Sequence, residues 1–423
     1  MALEDYQADM AKCSRCSSCK WIPFAQVKSW RFAKGCPSVD YGKFHAYSAG
    51  GRYAMALALL NGRIDYTDKL LEVVYMCQMD GACDVACKMC RYLEPLETML
   101  EFRTKLVEDG QLLPQYMALI DNLRKEDNMM MQPKAERGKW AEGLDIKDLS
   151  IEKAEVAFHG GCRLGFDTEL GKVAKTTLTL LKNAGVDVGI FMGKDELCCG
   201  GRANEIGYRG ELIKYAESAT EAWATAGVKT VVTACSDCYH AFKVTYPKIG
   251  KEVNVLHITE YLDRLVKDGK IKFTKKVPMK VTYHDPCHLG RLGEAYIPWE
   301  GEMKKFRVAI DIHEPRKPMR RGANGVYEPP RELLSSIPGL ELVEMERIRE
   351  YAWCCGAGGG VQQAYPDYSL WTAQERIEEA KSTGAKAIVS ACPWCERNFI
   401  DAIQANDEKM MVFDVVELIQ QAI

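Results

Sequence analysis

Two groups of five cysteines share one spacing. In the first, 35 residues separate Cys162 from the adjacent pair Cys198 and Cys199, Gly200 follows, and 35 residues separate Cys199 from Cys235-x2-Cys238. In the second, 66 residues separate Cys287 from the pair Cys354 and Cys355, Gly356 follows, and 36 residues separate Cys355 from Cys392-x2-Cys395. Five thiols exceed the four ligands of a tetrahedral zinc site, and zinc in the Cys-x2-Cys pairs would leave the doubled cysteine unexplained. Adjacent thiolates suit neighbouring irons of one cluster, so the chemistry implied is redox chemistry on iron–sulfur centres. Glycines at 200–201, 356 and 358–360 let backbone amides approach inorganic sulfur closely, and such hydrogen bonds tune reduction potential. His159, His284 and His288 flank the two groups. Enough thiols are present without them, so they are expected to bond to the ligands instead of ligating.

Eight further cysteines lie before position 91. Cys13-x2-Cys16-x2-Cys19 opens the C-x2-C-x2-C-x3-C-P run of two-cluster bacterial ferredoxins, in which each fourth cysteine serves the other cluster. Its fourth position is Pro23, and Cys36-Pro37 supplies the missing pair 13 residues later. The second copy reads Cys77-x2-Asp80-x2-Cys83-x3-Cys87, with Cys90 added. Crossing the fourth ligands puts one [4Fe-4S] cluster on Cys13, Cys16, Cys19 and Cys87. The other uses Cys36, Cys77 and Cys83, completed by Cys90 or Asp80, or remains a three-iron cluster. Trp21, Phe24, Trp30 and Phe32, inserted between Cys19 and Cys36, are expected to pack.

These residues need elements to hold them. Helical patterns fill the N-terminal part, including 53–60, a helix from Pro95 to near Gly110 and another over 113–124. Pro95 suits a first helical position because its missing N–H costs no hydrogen bond there. The polar, Met-rich stretch 127–150 reads as a linker. From Ile151, short apolar runs alternate with helices, which argues for parallel α/β units. Strands are expected over 155–159, 187–191 and 230–234, then 280–284, 340–344 and 387–390. Cys162, Cys235, Cys287 and Cys392 each follow a strand, where α/β sheets bind ligands beside helix N-termini.

The two halves repeat. Lys229–Phe242, KTVVTACSDCYHAF, aligns with Lys386–Phe399, KAIVSACPWCERNF, and AFHGGC aligns with TYHDPC. A pseudo-twofold pair of domains is expected, its two sites facing one crevice. The expected organisation is α+β overall: a mostly helical two-cluster domain over 1–126, a linker over 127–150, and α/β repeats over 151–276 and 277–423. The second repeat carries an insertion over 292–324. Lys304, Lys305, Arg307, Arg316, Lys317, Arg320 and Arg321 make that insertion basic, with Trp299 nearby. It suits a solvated loop or a docking loop for an acidic partner.

Composition excludes other classes. The 423 residues carry a net charge of −3, so no global basic surface calls for nucleic acid or anionic lipid. The start has no apolar signal-peptide core, and no apolar run approaches the ~20 residues that span a bilayer. The reading is a cytoplasmic chain without a membrane span, whose 18 cysteines stay reduced and bind metal instead of forming disulfides. No strand-linked glycine fingerprint for a nucleotide is present, so any flavin belongs to a partner.

With HGGC, CCGG, ACSDC, YHDPCHLGR, GVYEPPRELLSSIPGLELVEM, CCGAGGG and ACPWC, nearly the whole chain resembles the D subunit of heterodisulfide reductase, which is equivalent to its C and B subunits fused. That resemblance implies two Cys-Cys-Gly (CCG) domains, each holding a non-cubane [4Fe-4S] cluster on five cysteines. By motif these are Cys162, Cys198, Cys199, Cys235 and Cys238, then Cys287, Cys354, Cys355, Cys392 and Cys395. It also implies partners: a flavin-bearing subunit like heterodisulfide reductase A, and other iron–sulfur subunits. The insertion and the spread-out N-terminal motif look like the subunits of this family attached to class II benzoyl-CoA reductase complexes. The expected function is electron transfer within a flavin-based bifurcating complex of that type. The alternatives are a catalytic disulfide reductase, or the iron–sulfur subunit of a glycolate, lactate or glycerol-phosphate dehydrogenase.

Overall fold

The computed structural model describes residues 2–306 and 310–423, and the side chains of Cys90 and Lys305 lie outside the described residues, as does Arg307. The N-terminal region is helical, with Ala49–Leu60, Asp68–Tyr75, Ala82–Arg91, Pro95–Glu108 and Pro114–Glu126 as its longer helices. Ser48 and Thr67 start the first two by accepting bonds from Gly51 N–H and Leu70 N–H, the N-cap role of a hydroxyl. Tyr53, Leu70, Val74, Phe102, Leu106, Leu119, Ile120 and Leu123 fill the core between these helices.

Eleven strands are described: β1 (Lys147–Asp148), β2 (Val156–His159), β3 (Val188–Ile190), β4 (Thr230–Thr233), β5 (Val255–His257), β6 (Met279–Tyr283), β7 (Glu302–Phe306), β8 (Ile310–Glu314), β9 (Leu340–Val343), β10 (Ala387–Ser390) and β11 (Met411–Asp414). The first repeat is a parallel sheet of order β1-β3-β2-β4-β5, and the second a parallel sheet of order β9-β6-β10-β11. Strand for strand the orders coincide, with β1 as an extra edge on the first. Buried four-residue runs such as Val-Ala-Phe-His in β2 and Ala-Ile-Val-Ser in β10 are what a sheet covered on both faces requires. Each repeat ends in the same capped helix. Glu260 accepts from His257 N–H at 2.9 Å, and Glu417 accepts from Asp414 N–H at 2.9 Å.

The repeats share one core. Trp394 of the second lies between two guanidinium groups of the first, Arg163 at 4.0 Å and Arg202 at 3.7 Å from its ring centroid. Arg397 forms a two-pronged bond to Asp167, at 2.8 and 2.7 Å. The N-terminal helices are tied in by Arg103, fully buried, which donates to carbonyls of Val74, Tyr75, Cys77, Glu205 and Gly359.

Two segments behave differently from their sequence reading. The 127–150 stretch is fastened to the first repeat: β1 pairs with β3, and buried Arg137 bonds Glu196 at 3.2 Å. Polar sequence hid this because a two-residue edge strand leaves no period. The 292–324 insertion contains the antiparallel hairpin β7-β8 and then folds back on the N-terminal region. Arg316 donates to Tyr92 Oη at 2.8 Å, and Lys317 lies 3.7 Å from Glu94. Part of its charge is therefore spent inside the chain. Among the described residues, no helix is long and apolar enough to cross a membrane.

Candidate metal centres

Every cysteine of the two five-residue groups is buried and free. In the first repeat, Cys162 opens the helix after β2, Cys235 caps the helix after β4, and Cys198-Cys199 sit in the loop before Gly201–Glu205. Their thiols adjoin in order: Cys162 beside Cys198, Cys198 beside Cys199, Cys199 beside Cys238, and Cys238 beside Cys235. The second repeat matches link for link, from Cys287 through Cys354, Cys355 and Cys395 to Cys392. The chains meet, because Cys235 adjoins Cys392. All ten expected thiols are thus brought together as two adjoining sets.

Backbone and charge suit anionic sulfur. Gly200 N–H points at Cys198 Sγ at 3.4 Å, and Gly356 N–H at Cys354 Sγ at 3.3 Å. Both glycines have positive φ, +70° and +100°, a conformation that costs other residues energy. Bonds from Cys198 and Cys238 hold the Cys199 thiol down at about 5, and bonds from Cys354 and Cys395 hold Cys355 at about 6. In the second set Cys392 is also held well below the usual thiol value, against its burial, by Cys235 and Cys395, so the lowered thiols number one in the first set and two in the second. Cys198 accepts from Cys162, yet its donation to Cys199 and its burial push it up to about 12.

The three flanking histidines take distinct places. Arg376 Nε donates to His284 Nδ1 at 3.1 Å. An arginine cannot accept, so the imidazole proton sits on Nε2. That nitrogen is buried without a partner, and the His284, Cys355 and Cys395 donor atoms lie within 4.8 Å of one another. Burial lowers His284 to about 3 and His159 to about 4, so both rings are neutral. His159 faces Glu196 at 3.4 Å through Nδ1 and also keeps a buried, unpartnered Nε2. His288 lies between Glu205 at 2.6 Å and Asp237 at 3.1 Å, with its Nδ1 3.5 Å from Cys287 Sγ. Burial opposes its charge, but Glu205, Cys287 and Asp237 raise it well above the usual value.

Sequence reasoning missed the charged residues around the sets. Arg137 reaches 3.8 Å from Cys162 Sγ, and Glu196 accepts from Gly161 N–H at 2.8 Å. Arg202 pairs with Asp237 and donates to Ala357 O at 2.5 Å. Only adjacency hints at them: Glu196 stands two residues before Cys198, and Arg202 follows Gly201.

In the N-terminal region, Cys13, Cys16 and Cys19 lie close enough to Cys87 to raise it electrostatically, together with burial. The crossed set is therefore assembled. Cys16 is its exposed member. Burial, Cys77 and Asp80 raise Cys83, and Asp80 also bears on Cys36, so the second set gathers too. The Asp80 carboxylate is already engaged, by Ala82 N–H at 3.2 Å and Arg291 at 3.3 Å, which disfavours it as an iron ligand. Arg291 in turn bears on Cys287 and Cys354. Asp80 and Arg291 thus join the second N-terminal set to the set of the second repeat.

One small recess reaches the second interior set, and a separate cleft lies beside the repeats. The recess, of only about 10 Å³, is lined by Cys287, Cys355, Cys392, Cys395, His288 and Trp394. The cleft, of about 70 Å³, lies where the N-terminal helices meet both repeats, and it touches Glu205, His240, Lys248, Arg291, Arg320 and Arg321.

A cysteine-rich domain family model, CCG, matches residues 156–243 and again 316–400. The D subunit of the dihydromethanophenazine:CoB–CoM heterodisulfide reductase of Methanosarcina acetivorans is 31% identical, covering 98% of this chain and 94% of its own length. The EtfAB:quinone oxidoreductase of Syntrophomonas wolfei is 28% identical over 83% of this chain and 46% of that protein. The crystal structure of a hypothetical protein from Helicobacter pylori superposes with a TM-score of 0.52 at 10% identity, covering 89% of this chain and 67% of that one, a likeness of fold alone. Two cysteine-rich repeats and near-full-length identity place this chain in the family of the heterodisulfide reductase D subunit, a family of oxidoreductase subunits.

Proposed function

We propose that the chain is the electron-transfer subunit of a multi-subunit redox complex, taking electrons at its N-terminal region and delivering them to the crevice between the repeats. One observation supports this reading: the N-terminal cysteines include exposed Cys16, the repeat cysteines are all buried and adjoin at Cys235 and Cys392, and Arg291 bonds Asp80 while bearing on Cys287 and Cys354. Iron–sulfur clusters held by these sets would supply one-electron chemistry, two cubane-type in the N-terminal region and two non-cubane in the repeats. The donors fit that load. Ten buried thiols without disulfides, glycine amides aimed at sulfur and the orphan Nε2–H of His284 all favour a dry, anionic sulfur centre. The polypeptide keeps water out, fixes the ligand spacing and offsets cluster charge with Arg137, Arg202 and Arg291. Flavin would reside on a partner protein, in a bifurcating complex of the benzoyl-CoA reductase type. The Met-rich stretch and the two repeats then form one rigid frame for the interior sets.

Metal analysis of the anaerobically purified chain tests this: iron in large excess over zinc is expected, and zinc in excess would end the reading. A second reading, a catalytic disulfide reductase, is favoured by the recess beside Cys287 and His288. A change in the cluster spectrum on anaerobic titration with organic disulfides would select it over electron relay.

A further inference from the structure

The chain between Cys19 and Cys36 is a loop whose backbone is fastened while its aromatic rings face solvent. Glu346 accepts from Lys28 N–H at 3.1 Å, Ser29 N–H at 2.9 Å and Ser29 Oγ at 2.9 Å. Arg31 clasps Glu375 with two bonds, at 2.5 and 2.7 Å. Phe32 is buried beneath Arg347, and Ile22 N–H donates to Ala33 O at 2.9 Å across the loop's neck. Yet Phe24 is 73% exposed, Trp30 75% and Trp21 49%. Phe24 and Trp30 stand edge to face with centroids 5.1 Å apart. Flexible loops often expose rings by default. Here the loop is pinned at several points, and the exposed pair is held in one orientation, which suits anchor residues of an interface.

Charge says what would sit there. Between positions 12 and 45 the sequence has seven cations, Lys12, Arg15, Lys20, Lys28, Arg31, Lys34 and Lys43, against Asp40 alone, in a chain of net charge −3. Asp40 is taken by Lys34 and Lys43, and Arg31 by Glu375. Arg15, Lys20 and Lys28 have no carboxylate partner among the described residues. The exposed Cys16 lies within the same stretch, four residues before Lys20.

We propose that this face is the docking surface for an acidic electron-carrier protein, with Phe24 and Trp30 as anchors and Lys20 and Lys28 as steering charges. The proposal rests on the reading that electrons enter at the N-terminal region, and it adds the chemistry of the donor: a carrier with carboxylates around its redox centre. Opposite charge steers such encounters and weakens with salt. Anionic membranes also attract aromatic and cationic patches. Interfacial anchoring, however, favours an amphipathic helix, and these rings stand on a pinned loop beside a cysteine set.

The test measures binding of the anaerobic holoprotein to an acidic bacterial two-cluster ferredoxin at low and high salt. Phe24→Ala with Trp30→Ala should weaken binding at least about tenfold at both. Lys20→Glu with Lys28→Glu should weaken it mainly at low salt. Wild-type affinity in both double variants overturns the proposal. So does a wild-type chain that ignores the ferredoxin and binds vesicles of phosphatidylcholine with phosphatidylglycerol. Iron content and dithionite-reduced spectra separate the two readings. A chain without iron defeats the functional reading, whereas an iron-loaded, reducible chain with indifferent variants defeats only the docking surface.

Discussion

Gly356 shows how far one residue can be dictated by a centre it does not ligate. Its φ is +100°, its N–H bonds to Cys354 Sγ, and a Cβ there would collide with the Ser369 carbonyl and lie 2.7 Å from Asn398 Nδ2. Gly356→Ala should therefore move the loop that carries Cys354 and Cys355, costing about 2–4 kcal/mol and lowering bound iron. Gly384→Ala is the contrast: its φ is +73°, but the nearest atom is Lys280 Nζ at 3.5 Å, so about 1 kcal/mol is expected. Anaerobic denaturation curves and iron assays on both variants check this, and equal losses would refute it. His284 makes a second case. Its ring lies within reach of Cys355 and Cys395 and its buried Nε2–H has no partner, and a donor to cluster sulfur favours the more negative, reduced state. His284→Leu should lower the reduction potential of the second-repeat centre in an EPR-monitored titration, while an unchanged potential would assign the ring to packing. At this scale the sequence is informative about thiols, because their spacing is covalent. It is silent about Arg202, Asp237 and Glu205, which meet one another and His288 across as many as 83 positions.

Elements in this chain are legible where they are periodic. The expected strand at 155–159 is β2 over Val156–His159, and that at 387–390 is β10 over the same residues, because apolar runs after helices have one home in a parallel sheet. The helix expected from Pro95 runs Pro95–Glu108. The edge strand β1 and the hairpin β7-β8 carried no comparable signal, since a short edge and a solvated hairpin bury no continuous face. The helix Pro95–Glu108 also has a role that its amphipathic pattern conceals. Its Arg103 serves carbonyls at the end of Asp68–Tyr75 and others from Cys77, Glu205 and Gly359, so one side chain closes a helix C-terminus and joins three parts of the chain. Arg103→Met would leave these carbonyls without that donor and should cost about 3–5 kcal/mol, read as a lower denaturation midpoint of the holoprotein. Lys229→Met, which removes an exposed pair with Glu155, should leave the midpoint in place. A small shift for Arg103→Met would mean that water or relaxation replaces the arginine.

At the scale of the whole molecule, the repeat is more than duplicated sequence, because the two copies touch through cysteines of their candidate metal sites. Cys235 belongs by spacing to the first set and Cys392 to the second, and these are the thiols that adjoin across the interface. Ser236 Oγ, donating to Ala391 O at 2.8 Å, braces the same contact. Cys162 lies at the other end of the first chain of thiols and adjoins Cys198 of its own set. The two positions should therefore respond differently to loss of sulfur. Cys162→Ser should alter the EPR signature of one interior centre, whereas Cys235→Ser should alter both, since it also removes a neighbour of Cys392. Signals from the N-terminal sets, on Cys13, Cys16, Cys19 and Cys87 and on Cys36, Cys77 and Cys83, should be unchanged in either variant and serve as the internal standard. If Cys235→Ser perturbs no more than Cys162→Ser does, the interior sets work as separate sites that happen to abut. If it perturbs both, the crevice is a single two-centre unit, the arrangement that a two-electron acceptor would require.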